Sequence, residues 1–398
     1  MDFEFTQQET AFRKEVEDFV KQELPPGWDE KIFRWPGGYG ATPMFEANFK
    51  EFWDQSFRKL GSKGWLCLGW PTEYGGMAST MKQAIFNDVM SYYGAPAADV
   101  ATSIVGPTIL LVGSEEMKKE WLPKIARGDV RFWLGYSEPN AGSDLSSCQT
   151  KAYEEGDDLI INGQKIWSSG AHIADYAWLL ARTDSTAKKH QGLSLMIVDN
   201  RTPGLTIRPI QNICGIHSFN EVFFDDVRIP KKHIVGEINK GFYYLMVALQ
   251  FERIIMPIGA FRRILEELVK YVKETKRDGA MLGKNSRVRD KLATMAIELE
   301  ILYGFYWRTA WLMDQGVAPV LESSALKLLG SELGQSFANA AMEILGPFGQ
   351  LEKGSKWVPL KGMVSLGYLD SVSGPIGAGT SEVIRGIMAT RGLGLPRI

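Results

Sequence analysis

Apolar residues recur at helical spacing from the start of the chain. Phe12, Val16, Phe19 and Val20 fall on one helix face, and Thr6-Gln7-Gln8-Glu9 ahead of them has the spacing of a capping box. Pro25-Pro26 stops this helix, since proline lacks the N–H that the next turn needs. A loop rich in Trp, Gly and Pro follows through Pro43. Helical patterns return over residues 45–60 and 109–126, with the turn-rich Pro71-Thr72-Glu73-Tyr74-Gly75-Gly76 between them. Near residue 131 the period changes. Asp158-Leu159-Ile160-Ile161 and Gln164-Lys165-Ile166-Trp167 flank Asn162-Gly163, a strong hairpin signal that predicts a turn at 162–163. Residues 177–181, 193–198, 205–210 and 221–229 are further strand candidates, rich in branched side chains. From Gly241 onward the pattern is helical again. Lys276-Arg277-Asp278-Gly279 reads as the basic, glycine-terminated end of the first of these helices, and others run down to Arg391. The order is helices, a β domain, then helices.

Composition narrows the function classes. A chain of 398 residues suggests roughly two or three domains. Its 45% hydrophobic and 23% charged content is that of a folded globular chain. Lys and Arg number 45 against 47 Asp and Glu, a net charge of −2, so no basic field invites nucleic acid. No apolar run is long enough to span a bilayer, and MDFEFTQQET is unlike a signal or transit peptide. Three scattered cysteines speak against a disulfide framework or a Cys-rich zinc site and fit a reducing, cytoplasmic setting. Four histidines without an HExxH pattern give no metal site. Twelve Trp and 20 Phe suit cavities for large flat or greasy ligands, although additional core is the plainer reading.

The usual nucleotide motifs are missing. There is no Walker A loop, and the glycine-rich Gly374-Pro375-Ile376-Gly377-Ala378-Gly379 follows no strand, so it is no dinucleotide fingerprint. No GxSxG elbow or CxxC pair occurs. Where the helical part gives way to strands, however, stands Tyr136-Ser137-Glu138-Pro139-Asn140-Ala141-Gly142-Ser143-Asp144. Taken alone it reads as an Asn/Gly turn whose N–H and hydroxyl groups could face a planar polar ring. Together with Asn162-Gly163-Gln164-Lys165-Ile166-Trp167-Ser168-Ser169-Gly170 and Gly379-Thr380-Ser381-Glu382-Val383-Ile384-Arg385, it closely resembles the acyl-CoA dehydrogenase family. The three stretches stand in family order and span most of the chain.

That resemblance implies an α+β fold: an all-helical N-terminal domain over 1–130, a central β-barrel or sandwich-like domain over 131–240, and a C-terminal four-helix-bundle domain over 241–398. It implies FAD as cofactor, an acyl-CoA substrate and an electron-transfer flavoprotein as electron acceptor. Leu134, Tyr136 and Ser137 would meet the flavin, with the Tyr136–Ser137 loop at its pyrimidine edge. Trp167 would pack on the isoalloxazine, Ser169 would reach its N5 region, and Thr380 and Glu382 would contact the cofactor from the C-terminal part. Ser143 matches a serine near the CoA end of the substrate.

The chemistry requires a base for the α-proton while the flavin takes the β-hydrogen. Many members carry a glutamate just before the Gly-Thr of the third motif, where this chain has Ala378. Phe242, Leu245, Met246, Leu249, Glu252 and Met256 lie on roughly one helix face. A carboxylate on an apolar stripe is costly unless paired or functional, and desolvation raises its pKa toward a general base. The bland alternative is an ion pair with Arg253 or Arg262. Isovaleryl- and long-chain-type members take their base from this helix in a Glu-Arg pair like Glu252-Arg253, which selects Glu252 as the catalytic base with Arg253 at the substrate. Ala378 would keep a backbone N–H for the thioester oxygen and leave room for a carboxylate from the opposite wall.

Thr275-Lys276-Arg277-Asp278-Gly279 aligns with the family's Arg-x-x-Phe-Gly, which touches a neighbouring subunit's FAD, but lacks the phenylalanine; Arg277 could still reach a pyrophosphate. With Phe251-Glu252-Arg253 and the Arg391–Arg397 ending, this resembles a subgroup acting on alicyclic, dicarboxylic or steroid side-chain acyl-CoAs, some members of which pair non-identical subunits. A homotetramer or a heteromer is expected by analogy. Alternatives on the same fold are a flavin monooxygenase or oxidase, an FAD-binding partner subunit, and a ring-opening or decarboxylating enzyme assisted by Asp99 in the acyl-cavity region, where a solvated loop aspartate is the plainer reading.

Overall fold

The computed structural model describes residues 4–28, 35–36, 49–97, 99–251 (backbone only at 247–251) and 255–396. By contact density the chain forms two compact units, residues 1–43, 80–97 and 253–398 in one and 44–79 with 98–252 in the other. Helices α1 (Gln7–Glu23), α2 (Lys50–Ser62), α3 (Thr80–Tyr92), α4 (Gly106–Val112) and α5 (Glu115–Ala126) come first. Strands β1 (Phe132–Gly135), β2 (Lys151–Glu155), β3 (Asp158–Lys165), β4 (Tyr176–Arg182), β5 (Leu193–Asp199), β6 (Leu205–Gln211), β7 (His217–Pro230) and β8 (Ile234–Val235) follow. The chain ends in α6 (Gly241–Phe251), α7 (Ile258–Glu274), the small hairpin β9 (Lys276–Arg277) and β10 (Ala280–Met281), α8 (Ser286–Asp314), α9 (Val320–Leu345), α10 (Met363–Ser371) and α11 (Ser381–Ile387).

In the sheet-bearing unit the strand order is β6-β7-β3-β2-β4-β5-β8, with β1 parallel beside β4. Alternation along β4 feeds two cores. Trp178 and Leu180 join Ile109, Trp121, Leu122 and Ile125 of α4 and α5, while Ala177, Leu179 and Ala181 join Met196 and Val198 on the opposite face. A strand buried on both faces reads as a continuous apolar run, as Tyr-Ala-Trp-Leu-Leu-Ala-Arg does.

The hairpin expected at Asn162-Gly163 is not there. β3 runs straight through both residues, and the β2–β3 turn lies at Gly156-Asp157. Gly163 instead sits at a register shift against β7, and a β-carbon on it would come 2.7 Å from the Thr150 Cα. Its glycine serves close backbone approach, the second common use of glycine in a strand. The Asn162 side chain bonds the 226 position, with Nδ2 donating to Asp226 Oδ1 at 2.8 Å.

The helical unit packs α7, α8 and α9 with α3 around Phe261, Leu299, Leu302, Tyr306, Leu326 and Phe337. α1 begins with the expected reciprocal cap, Glu9 N–H donating to Thr6 Oγ1 and Thr6 N–H to Glu9 Oε2. It buries Phe12, Val16 and Val20. α3 escapes the one-face apolar pattern because it is buried on every side from Ala84 to Ser91, with polar Asn87, Asp88 and Ser91 among the buried residues. Asp88 is satisfied from three helices: Arg13 Nη2 at 2.8 Å, Tyr303 Oη at 2.7 Å and Arg262 Nη2 at 3.8 Å. Burial, then Asp88 itself, pushes the Tyr303 phenol well up, so it stays a donor. Lys276–Gly279 proves not to be a helix end. α7 stops at Glu274, and Asp278 (φ 51°) and Gly279 (φ 80°) form the left-handed turn of the β9–β10 hairpin. The helix after Gly241 is described only to Phe251, and Met256 lies in the turn before α7 rather than on the same stripe.

One buried ion pair ties the end of β1 to β3. Lys165, at 0% exposure, donates to Glu138 Oε1 (2.9 Å), Tyr136 O (3.0 Å) and Cys148 Sγ (3.3 Å). Glu138 also accepts from Gln149 N (2.6 Å) and Thr150 N (2.8 Å). Burial alone would raise the Glu138 pKa; the Lys165 charge and the hydrogen bonds from Thr150, Lys165 and Gln149 outweigh it and hold the carboxyl at about 2. Its folded value is therefore depressed. The stability it adds is fully present above the ordinary value of 4.5 and is lost as the pH falls through about 2. Glu138→Ala should cost about 3–5 kcal/mol at neutral pH by stranding the ammonium. In urea unfolding followed by circular dichroism, the gap between wild type and Glu138→Gln should hold steady above pH 4.5 and close toward pH 2. A gap that does not change with pH would show that Glu138 titrates normally.

Candidate functional site

In the sheet-bearing unit, the stretch after β1 is a folded platform rather than a loose loop. Leu134 is half-buried on β1 opposite Trp178, and Tyr136 is half-buried beside the same core. Glu138 and Ala141 exchange backbone hydrogen bonds of 2.9 and 3.1 Å, closing a tight turn over the exposed Pro139 and Asn140. Ser137 O accepts from Ile166 N at 2.9 Å, so the first and second motifs are stitched side by side. Ser143 is exposed at the rim. Next to it, Asp144 bonds Lys189 Nζ (2.8 Å) and the hydroxyls of Ser146 and Ser147, and the Lys189 bond leads in holding its carboxyl far below the usual range.

The second motif supplies a flat apolar surface. Trp167 is 57% exposed, edge-on to Phe219 at 6.1 Å, with its backbone in the left-handed region at φ 58°. Such a conformation costs a non-glycine residue roughly 1–2 kcal/mol and persists only where neighbours impose it. Ser169 is half-buried. Between them Ser168 is fully buried, and its Oγ has no hydrogen-bond partner.

The helical unit carries the third motif. Ala378 (φ 53°) and Gly379 (φ 93°) are consecutive left-handed residues, and Thr380 caps α11, its Oγ1 accepting from Val383 N at 3.2 Å. Glu382 is exposed in the first turn. Its carboxyl is held below its usual value, chiefly by a backbone N–H and then by Thr380. Ser381 is buried, and its Oγ has no partner. Beneath this loop the buried Lys327 of α9 donates to Gly379 O (2.6 Å) and Gly374 O (3.2 Å), pinning both ends of the glycine-rich segment.

Two candidates have other work in the fold. Arg277 donates to Ile344 O (3.1 Å) and Leu345 O (2.8 Å), closing the C-terminus of α9. Asp99 is a local cap, its Oδ1 accepting from Thr102 N (3.0 Å) while its own N–H donates to Thr102 Oγ1 (3.0 Å). Burial raises its pKa, and the Thr102 bonds and Arg131 oppose that. Glu252 and Arg253 lie outside the described residues. Sequence reasoning did not find Ser168, Ser381, Lys327 or the Asn220 network described below. All are ordinary residue types whose role comes from where the fold brings them.

In the sheet-bearing unit, the exposed indole of Trp167 beside the half-buried Ser169 fits the flat face of a large planar cofactor. No group of three or more His, Cys, Asp or Glu that could hold a metal occurs among the described residues, and no described helix is long and apolar enough to cross a membrane.

Comparison with known proteins agrees over the full length. Residues 6–129, 134–227 and 239–393 match the N-terminal, middle and C-terminal domains of acyl-CoA dehydrogenase. The chain is 35% identical over 409 residues to acyl-CoA dehydrogenase FadE26 of Mycobacterium tuberculosis, covering 100% of this chain and 99% of that one. It is 34% identical over 403 residues to acyl-CoA dehydrogenase IpdE1 of Mycolicibacterium smegmatis, covering 97% of each. Among solved structures it resembles the Tcur3481-Tcur3483 steroid ACAD, with TM-score 0.89, 33% identity and 100% of both chains covered. The ChsE4-ChsE5 complex of Mycobacterium tuberculosis gives a TM-score of 0.88 at 33% identity, again over 100% of both chains. The chain belongs to the acyl-CoA dehydrogenase family of FAD-dependent oxidoreductases.

Proposed function

We propose that this protein introduces a Cα–Cβ double bond into a bulky acyl-CoA, alicyclic, dicarboxylic, branched or steroid side-chain in type, and passes the electrons to an electron-transfer flavoprotein. The observation that carries the reading is Ala378. A small left-handed residue stands where many relatives hold the base, in a loop fixed at both ends by Lys327. The full-length likeness to a steroid ACAD supports the bulky substrate class.

Bound FAD supplies the acceptor for the β-hydride. Glu252 removes the α-proton, and the Ala378 N–H donates to the thioester oxygen, stabilising the charge that develops there. Trp167 would give the flavin its apolar bed, and Leu134, Tyr136, Ser137, Ser169, Thr380 and Glu382 would hold it. Ser143, at the exposed rim, serves the CoA end, and Arg253 flanks the acyl group. Arg277 and Asp99 are secondary candidates, because their side chains already satisfy local backbone groups.

A partner-subunit role in a heteromer is the second reading. Ala378 favours it, as do the two-chain names of the Tcur3481-Tcur3483 and ChsE4-ChsE5 structures. Copurification of a homologous second chain is its sign.

Anaerobic titration of the flavoprotein with a panel of acyl-CoAs separates these readings. Wild type should bleach with a bulky thioester, and Glu252→Gln should bleach about 10²–10⁴-fold more slowly. Equal bleaching of both would make Glu252 structural, and bleaching of neither with any thioester would leave the partner-subunit reading. A second expectation concerns Lys327. Lys327→Met should leave two carbonyls unpaired, speed hydrogen exchange over 374–380 and lower kcat/KM about 10- to 100-fold. Unchanged exchange in the folded variant would remove Lys327 from the positioning of this loop.

A further inference from the structure

Two of the chain's four histidines, His172 and His217, stack face to face with ring centroids 3.8 Å apart and planes 20° from parallel. Both are bound to Asn220, which is fully buried at the start of β7. Asn220 holds Ser168 at both backbone groups: its carbonyl accepts from Ser168 N (3.1 Å), and its Nδ2 donates to Ser168 O (2.9 Å). Gly170 N donates to Ser218 O at 3.0 Å, so the chain past the end of β3 goes on pairing with β7. The left-handed Trp167 sits between the end of β3 and this renewed pairing, next to the clamped Ser168.

Hydrogen-bond chemistry then fixes the whole network from one atom. A carbonyl oxygen can only accept, so the Asn220 nitrogen must point at Ser168 O. The second hydrogen on that nitrogen meets His172 Nδ1 at 3.1 Å, which must therefore offer a lone pair. His172 is thereby the neutral tautomer with its proton on Nε2. Asn220 Oδ1 is left to accept from His217 Nε2 at 2.8 Å. Reversing the amide would set an oxygen against the Ser168 carbonyl, and a proton on His172 Nδ1 would set two donors against each other.

We propose that Asn220 is the positioning residue for the Trp167–Ser169 turn that receives FAD, and that the stacked His172–His217 pair sets the direction of its amide. The inference rests on the family reading of Trp167 and Ser169 as cofactor residues. The 57% exposed Trp167 indole next to the clamped Ser168 adds support, since the clamp holds an exposed flat apolar surface in place.

Asn220→Asp keeps the shape and can still accept from His217, but it cannot donate to Ser168. In the full flavoprotein, this variant should release FAD on dilution at least about tenfold faster, read as the rise in flavin fluorescence. Hydrogen exchange over residues 166–171 should accelerate with it. His172→Phe keeps the stack but removes the acceptor, and release should quicken only a few-fold. A third readout needs no variant to fold: ¹⁵N-histidine spectra of wild type contain four imidazoles, and His172 should show the neutral form with its proton on Nε2. The proposal is overturned if folded Asn220→Asp retains FAD and exchanges like wild type, or if His172 carries its proton on Nδ1. If wild type holds no flavin at all, the family reading of the site fails, while the exchange and tautomer results still judge the clamp.

Discussion

A lysine with no exposed surface must find its counter-charge inside the protein, and Lys165 organises the two motif stretches of the sheet-bearing unit by doing so. Its ammonium reaches the Glu138 carboxylate, the Tyr136 carbonyl and the Cys148 sulfur. Those groups belong to the stretch after β1 and to the segment entering β2. Lys165 is also the last residue of β3, immediately ahead of Ile166 and Trp167. One desolvated charge thus draws the first two motifs together, because leaving it unpaired would cost several kcal/mol. The turn of Glu138 and Ala141, the bond of Ser137 to Ile166 and the exposed position of Trp167 all build on that junction.

The helical unit also uses a buried lysine to hold irregular backbone. Lys327 is also buried, and it donates to the carbonyls of Gly374 and Gly379. Bonds to backbone carbonyls suit a glycine-rich segment, which has few side chains to lock it. In both units a buried amine reaches irregular backbone that a helix or strand ladder would otherwise have satisfied. Binding loops held this way have little conformational freedom left to lose when a ligand arrives.

The sequence made some of this legible and hid the rest for physical reasons. The Thr6–Glu9 cap, the helices around Phe12 and Trp121 and the run of strands follow from local periodicity, and local periodicity shows them. Asn162-Gly163 misled, because a glycine needed for contact with Thr150 looks the same as one needed for a turn. α3 was invisible because Asn87, Asp88 and Ser91 are polar residues paid off by Arg13 and Tyr303 from far along the chain. The three motif stretches were marked by their own residues. Lys327 and Asn220 were not, since each acts on a loop some 50 residues away in sequence, and nothing local distinguishes a clamp from a core residue.

Ala378 shows what such clamping does to the division of labour in the site. At φ 53° a β-carbon already crowds the following carbonyl, and a longer side chain would add to that strain. The pins at Gly374 and Gly379 keep the segment from relaxing by rotation. The residue is therefore valuable for the direction of its peptide plane, while its side chain contributes little beyond being small. A loop fixed in this way can orient a thioester, but it cannot also offer a proton acceptor. Under the proposed chemistry the two tasks that one glutamate-bearing loop performs in many relatives are separated here. In that proposal the loop before α11 would orient the thioester, and Glu252 would supply the base.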